Sequence, residues 1–248
     1  MNEQQLLDAA KDVFTRLRND CPAIPNASYT IHYDTHMTGL AYATAWFYDT
    51  HPVIQDASYP GHDFEIAINP NVQWYIGPCS SLPPNTYDLQ TTLLHEMIHG
   101  VGIISSIRAD KSVLPTSYDL QLRDRENQQV VDSFFDGAFG QSLHVEHVDV
   151  FNPTIFQPGS SFSHYLHDGV MSPGQHASEC VRHIDDDVKR MLHAVGYNCP
   201  PSESSFDALP IILGVVGAII VAVVIAIFTC SNKKQGRMKR PLLEKDPI

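Results

Sequence analysis

Positive charge is scarce in this sequence. Sixteen Lys and Arg stand against 28 Asp and Glu among 248 residues, a formal net charge of −12. That balance excludes a nucleic-acid binder held by phosphate contacts. No internal repeat is visible, which sets aside a repeat architecture. The first residues, Met1-Asn2-Glu3-Gln4-Gln5-Leu6-Leu7-Asp8, have neither a basic n-region nor an apolar h-region, so no signal peptide is visible. Wholesale disorder is excluded as well, because 43% of residues are hydrophobic and such a chain can bury a core.

Residues 210–230 carry no charge. Ile211 to Phe228 is an unbroken run of Ile, Leu, Val, Ala, Gly and Phe. A helix of roughly 18–20 residues spans about 30 Å, the hydrocarbon thickness of a bilayer, and this run has no polar stripe for a soluble surface. The sequence therefore predicts a transmembrane helix at 210–230. A stalk at 201–209 would precede it and a basic tail at 231–248, with Lys233, Lys234, Arg237, Lys239, Arg240 and Lys245, would follow. The basic flank reads as cytoplasmic. The expectation is a single-pass protein with residues 1–200 extracellular or lumenal, in a cellular or virion membrane. With no leader visible, either the leader is missing from this chain or insertion proceeds from the C-terminal anchor after synthesis.

Cys21, Cys79, Cys180 and Cys199 lie in the body and Cys230 beside the apolar run. Four cysteines in an exported domain imply two disulfides with three connectivities. A short Cys180–Cys199 loop, leaving Cys21 with Cys79, is the pairing the sequence suggests. Asn26-Ala27-Ser28 is a glycosylation sequon if the body is exported.

Helical spacing of Leu6, Leu7, Ala10, Val13, Phe14 and Leu17 predicts a helix over Gln4–Arg18. Ser28–Asp34 alternates as a strand, Leu40–Tyr48 fits strand or helix, and Phe64–Ile68 alternates again before Asn69-Pro70. Tyr87–Gly100 turns helical, with Asp88 as an early cap and glycines closing it. Residues 105–163 read as irregular, with a hairpin around Ser117–Val131. Ile184–Ala194 reads as a last helix opened by Asp185-Asp186-Asp187.

The Tyr87–Gly100 segment contains His95-Glu96-Met97-Ile98-His99. Residues four apart share one helix face, so both imidazoles can approach one zinc ion at about 2.0–2.1 Å. Glu96, next to the first ligand, is placed to take a proton from a zinc-activated water that attacks a peptide carbonyl. A catalytic site needs a third protein ligand. The compact pattern would put it at position 105, which is Ser105. Further on, Ser163-His164 precedes Val170-Met171-Ser172-Pro173.

This set, H-E-x-x-H with Gly102, a long insertion, Ser163-His164 and Val170-Met171-Ser172-Pro173, resembles the leishmanolysin-like metzincin metallopeptidases. The looser similarity runs from about Ser28 to Tyr197, through Tyr118-Asp119, Gln157-Pro158-Gly159-Ser160-Ser161, Met191-Leu192 and Gly196-Tyr197. The resemblance implies an α+β metzincin-like domain over residues 1–200, with a mixed sheet, an active-site helix and a small C-terminal subdomain. It implies one Zn2+ held by His95, His99 and His164, with Glu96 as general base. Met171 would be a non-ligating floor and Gly102 the sharp turn after the helix. Phe64–Ile68 would be the edge strand to which a peptide adds. His167 is an alternative third ligand, and Glu126 or Glu146 a carboxylate alternative. His144 and His147 flank Glu146 in a further cluster.

The reading that results is a membrane-anchored zinc endopeptidase acting on a protein or peptide substrate, with no nucleic-acid partner. The competing reading is a catalytically inactive membrane adhesion or viral entry protein that keeps a structural metal site. A non-haem iron centre is a third, weaker one.

Overall fold

The structure is a computed structural model, and it describes residues 1–45, 63–107, 115–131 and 139–200. The chain divides into two units, Met1–Ser202 and Glu203–Ile248, and every described residue falls in the first. Among the described residues no helix is long and apolar enough to cross a membrane. The longest, α1 (Glu3–Asp20), presents Lys11, Asp12, Arg16 and Arg18 along its length, a charge pattern that hydrocarbon does not accommodate. The expected transmembrane helix at 210–230, with its stalk and tail, lies outside the described residues. The expectation of a C-terminal membrane span and of single-pass membrane localisation is corrected on this finding.

The architecture is mixed α and β with small sheets. Asn2 opens α1 with a reciprocal capping box, its side chain accepting from the Gln5 amide while Gln5 reaches back. Leu6, Ala9, Ala10, Val13, Phe14 and Leu17 form the buried stripe, each larger one contributing about 1.5–3 kcal/mol by leaving water. That stripe packs against helix α2 (Leu89–Gly100) and strand β1 (Tyr29–Tyr33).

Strands β1, β2 (Ala41–Ala45) and β3 (Phe64–Ile68) form one sheet in the order β1-β3-β2. β1 runs parallel to β3 and β2 antiparallel to it. The central strand is therefore β3, whose Phe64, Ile66, Ala67 and Ile68 are all buried. The expectation that Phe64–Ile68 forms the edge is corrected: near-continuous burial is what a strand flanked on both sides requires, and the edges are β1 and β2, of which β2 borders the cleft. Ala41 pairs with Ile68 and the Asn69 amide donates to the Leu40 carbonyl at 3.0 Å. In an antiparallel ladder this assigns the even positions Leu40, Tyr42 and Thr44 to bonds with β3 and turns the amides and carbonyls of Ala41, Ala43 and Ala45 outward.

A short pair, β4 (Trp74–Tyr75) and β5 (Tyr87–Asp88), precedes α2, so the helix begins at Leu89 rather than Tyr87. The hairpin expected around Ser117–Val131 is reduced to an isolated antiparallel bridge between Arg123 and Gln129. Beyond it, within the stretch read as irregular, β6 (Leu143–Val145) and β7 (Val148–Val150) make a hairpin. Its two-residue turn, Glu146-His147, has φ of 48° and 67°, as the strand twist favours. Helix α3 (Asp186–Ala194) closes the unit and is capped by Asp185, which accepts from the Val188 amide at 2.8 Å.

Disulfides join Cys21 to Cys199 and Cys79 to Cys180. The local Cys180–Cys199 pairing is corrected, because α3 lies between these cysteines and a nine-residue helix carries the chain about 13 Å. The observed bonds span 178 and 101 residues, and closing loops of that length contributes about 5 kcal/mol each in the chain-entropy account.

Candidate metal centre

Helix α2 presents His95 and His99 on one face, and its termination places a carbonyl behind the second of them. The Gly102 amide donates to the His99 carbonyl at 3.0 Å and the Ile103 amide to the Ile98 carbonyl at 3.2 Å, the paired bonds of a Schellman ending. Gly102 sits at φ 131°, a conformation that glycine adopts without cost. The reversal brings the Ile103 carbonyl oxygen to 2.6 Å from His99 Nδ1.

Ser105, where a compact pattern would carry its third histidine, donates its amide to Ser163 Oγ at 2.9 Å. The long insertion thus returns beside that same position and delivers His164. Phe162, fully buried at φ 71°, bends the chain just before the ligand, at a cost of about 1–3 kcal/mol that the surrounding packing sustains. Gln157 accepts the amides of Ser160 and Ser161, and the resulting turn aims the Ser160 carbonyl at His164 Nδ1, 2.7 Å away.

His95 completes the set, its Nδ1 lying 2.6 Å from the Val170 carbonyl. All three Nδ1 atoms therefore face carbonyl oxygens, which accept and never donate, so each ring carries its proton there. The three Nε2 lone pairs converge with separations of 3.1 Å (His95–His99), 3.3 Å (His99–His164) and 3.0 Å (His95–His164). Three acceptors cannot satisfy one another at such range. A tetrahedral ion bound at about 2.0–2.1 Å sets nitrogen separations near 3.3 Å, so the donor set fits a divalent metal. This is the one group of three or more metal-ligating side chains among the described residues.

Burial drives the electrostatics. Burial lowers the His95 basicity against the Val170 bond, and burial with two neighbouring imidazoles holds His99 well below the ordinary range. Burial with His95 alongside pushes His164 down to about 3. Glu96 is 6% exposed, and burial pushes its carboxyl up to about 8, opposed by a backbone hydrogen bond with Ala43 of the edge strand. Neutral imidazoles are what metal ligation requires, and a cation held by them would favour the ionised form of the neighbouring Glu96 carboxyl against its burial.

These groups line a cleft of about 470 Å³. Leu40 to Ala43 border it on one side, and Pro158 to Ser160 with Pro173 to Gln175 on others. Among the described residues, Glu96 is the one carboxylate in that lining, and no Lys or Arg joins it. Met171 is fully buried. His167 turns away: it is exposed, stacked on Tyr165, with Nε2 2.7 Å from Asp187. Glu146 occupies the β6–β7 turn and Glu126 the loop within the Arg123–Gln129 bridge, and neither belongs to the ligand group. His144 and His147 stack at 6.0 Å and form no group of three ligands among the described residues. Asn26 is exposed ahead of β1.

Two supporting residues, Arg182 and Gln175, escaped the sequence reading. Arg182 forms an ion pair with the fully buried Asp88 and also donates to the Gly77 carbonyl. Asp88 in turn caps α2 through the Thr91 amide and hydroxyl. Gln175 bonds Thr92, one turn before His95. Nothing local in sequence signals contacts across some ninety residues.

Comparison with protein-family models, curated proteins and solved structures finds no match to this chain.

Proposed function

We propose that the chain is a zinc-dependent peptidase whose site comprises His95, His99, His164 and Glu96. The observation that carries this reading is the convergence of three Nε2 atoms within 3.3 Å of one another, each backed by a carbonyl, beside a buried carboxyl that is not one of the three. Three neutral imidazoles leave a fourth position open, the arrangement of a catalytic rather than a structural zinc site. Zinc, when bound, supplies Lewis acidity toward a water and toward a substrate carbonyl oxygen. Glu96 accepts the proton of the attacking water and delivers it to the departing amine. The outward backbone groups of β2, apart from the Ala43 amide that bonds Glu96, hold the substrate by adding it as an extended strand beside the cleft. A non-haem iron centre is disfavoured, because its usual ligand set includes a carboxylate and this one has none. Met171 serves as the floor beneath the ligands.

The test is metal content and casein or peptide cleavage by the full chain and two variants. Glu96→Gln should keep zinc while hydrolysis falls about 10²–10⁴-fold. His164→Ala should lose zinc affinity itself. Retention of both zinc and hydrolysis in His164→Ala would remove His164 from the site. Zinc uptake without hydrolysis by the wild type would leave a structural metal site.

A further inference from the structure

Tyr165 follows the third ligand directly, and its side chain is not spent on packing alone. Its backbone amide donates to the Met171 carbonyl at 3.1 Å. Its hydroxyl accepts the Met171 amide at 3.1 Å and donates to Asp185 Oδ2 at 2.9 Å. The segment from 165 to 171 is thus closed twice, once through backbone and once through the phenol. Val170, whose carbonyl meets His95 Nδ1, lies inside that closure. A methyl group at Gly169 would collide with the Tyr165 hydroxyl, so the turn is shaped around the oxygen.

We propose that Tyr165 is a positioning residue of the metal centre: its hydroxyl locks the Gly169–Met171 turn so that the Val170 carbonyl fixes the His95 ring, while its backbone anchors the adjoining His164. Two ligands 69 residues apart are thereby held in register by one phenol. Asp185, which caps α3 through its other oxygen, ties the arrangement to the helix. Outer hydrogen bonds of this kind set ring orientation and typically govern metal affinity by 10–100-fold. The inference rests on the metal centre of the proposed function and not on its hydrolytic step.

The experiment measures Zn2+ affinity and the visible spectrum of the Co2+-loaded full chain for wild type, Tyr165→Phe and Asp185→Asn. Tyr165→Phe keeps the ring and its burial but removes the hydroxyl, and should weaken Zn2+ binding about 10–100-fold with a changed Co2+ spectrum and an unchanged far-UV CD signal. Asp185→Asn should shift both readouts in the same direction while still capping α3, since Asn is an equal N-cap; it carries the test alone if Tyr165→Phe does not fold. Wild-type affinity and spectrum in a folded variant would overturn the assignment. Wild type that binds Zn2+ but cleaves no peptide ends the peptidase reading and leaves this one decided by the affinities. Wild type that binds neither ion ends both.

Discussion

His95 Nδ1 lies 2.6 Å from the carbonyl oxygen of Val170, a residue 75 positions further along the chain. That contact lies behind the His95 ring, on Nδ1 rather than on the Nε2 that meets the other imidazoles. It joins the helix carrying the first two imidazoles to the turn that follows the third, and it commits the His95 proton so that Nε2 is free to bind.

The metal-free protein should be most stable near pH 6.5. The folded state holds Glu96 protonated up to about 8, whereas its ordinary value is 4.5, so between these values stability falls as pH rises, by roughly 1 kcal/mol per pH unit. The histidines act oppositely. His164 is depressed to about 3 from 6.5, and His95 and His99 are depressed too, so their contribution is lost as pH falls below 6.5. Urea unfolding of metal-free protein across pH 5–8 should show this maximum, and Glu96→Gln should flatten its alkaline side.

Gly102→Ala should cost about 1–3 kcal/mol, because φ 131° is strained for any residue with a Cβ. The Ile103 carbonyl would shift away from His99, so metal affinity should fall with stability. Denaturation and zinc titration on the same variant check both. An unaltered zinc affinity would show that the carbonyl does not orient the ring.

Arg182→Leu should destabilise by about 3–5 kcal/mol, since it leaves the Asp88 carboxylate buried without its cation. The Asp88 side chain is fully buried and that of Arg182 is 14% exposed. Adding Asp88→Asn should recover part of the loss, because Asn still caps α2 without bringing a charge. The urea midpoints of the single and double variants decide this.

Peptide substrates carrying single N-methyl groups should show a period of two. Methylation of an amide that faces the outward carbonyls of Ala41 or Ala43 removes a bond of about 1 kcal/mol, raising KM about fivefold with little change in kcat. Methylation at alternate positions should do little. A uniform response along the peptide would argue against addition to β2.

Local chemistry was legible from residues alone. The H-E-x-x-H spacing, the Asp88 cap, the Gly102 ending and the three helices depend on neighbours within four or five positions, the range over which side chains and backbone interact in a helix. Alternation in Leu143-His144-Val145 and Val148-Asp149-Val150 fits a hairpin, but three-residue strands are too short for that pattern to stand out in sequence. The stretch 210–230 shows the other side. Its apolar run argued for a span, yet among the described residues no helix supports one.

Tertiary structure decided everything that depends on distant meetings. Strand order made β3 central and left β2 as the edge that borders the cleft. Helix α3, by separating Cys180 from Cys199, decided the disulfides. His164 and His167 are three residues apart, and composition cannot rank them. Packing does, because the Gln157–Ser161 turn and the strained Phe162 direct one ring inward while Asp187 draws the other to the surface. A sequence lists the donors a metal could use; only the folded backbone, by placing a carbonyl behind each ring, selects which nitrogens face one another.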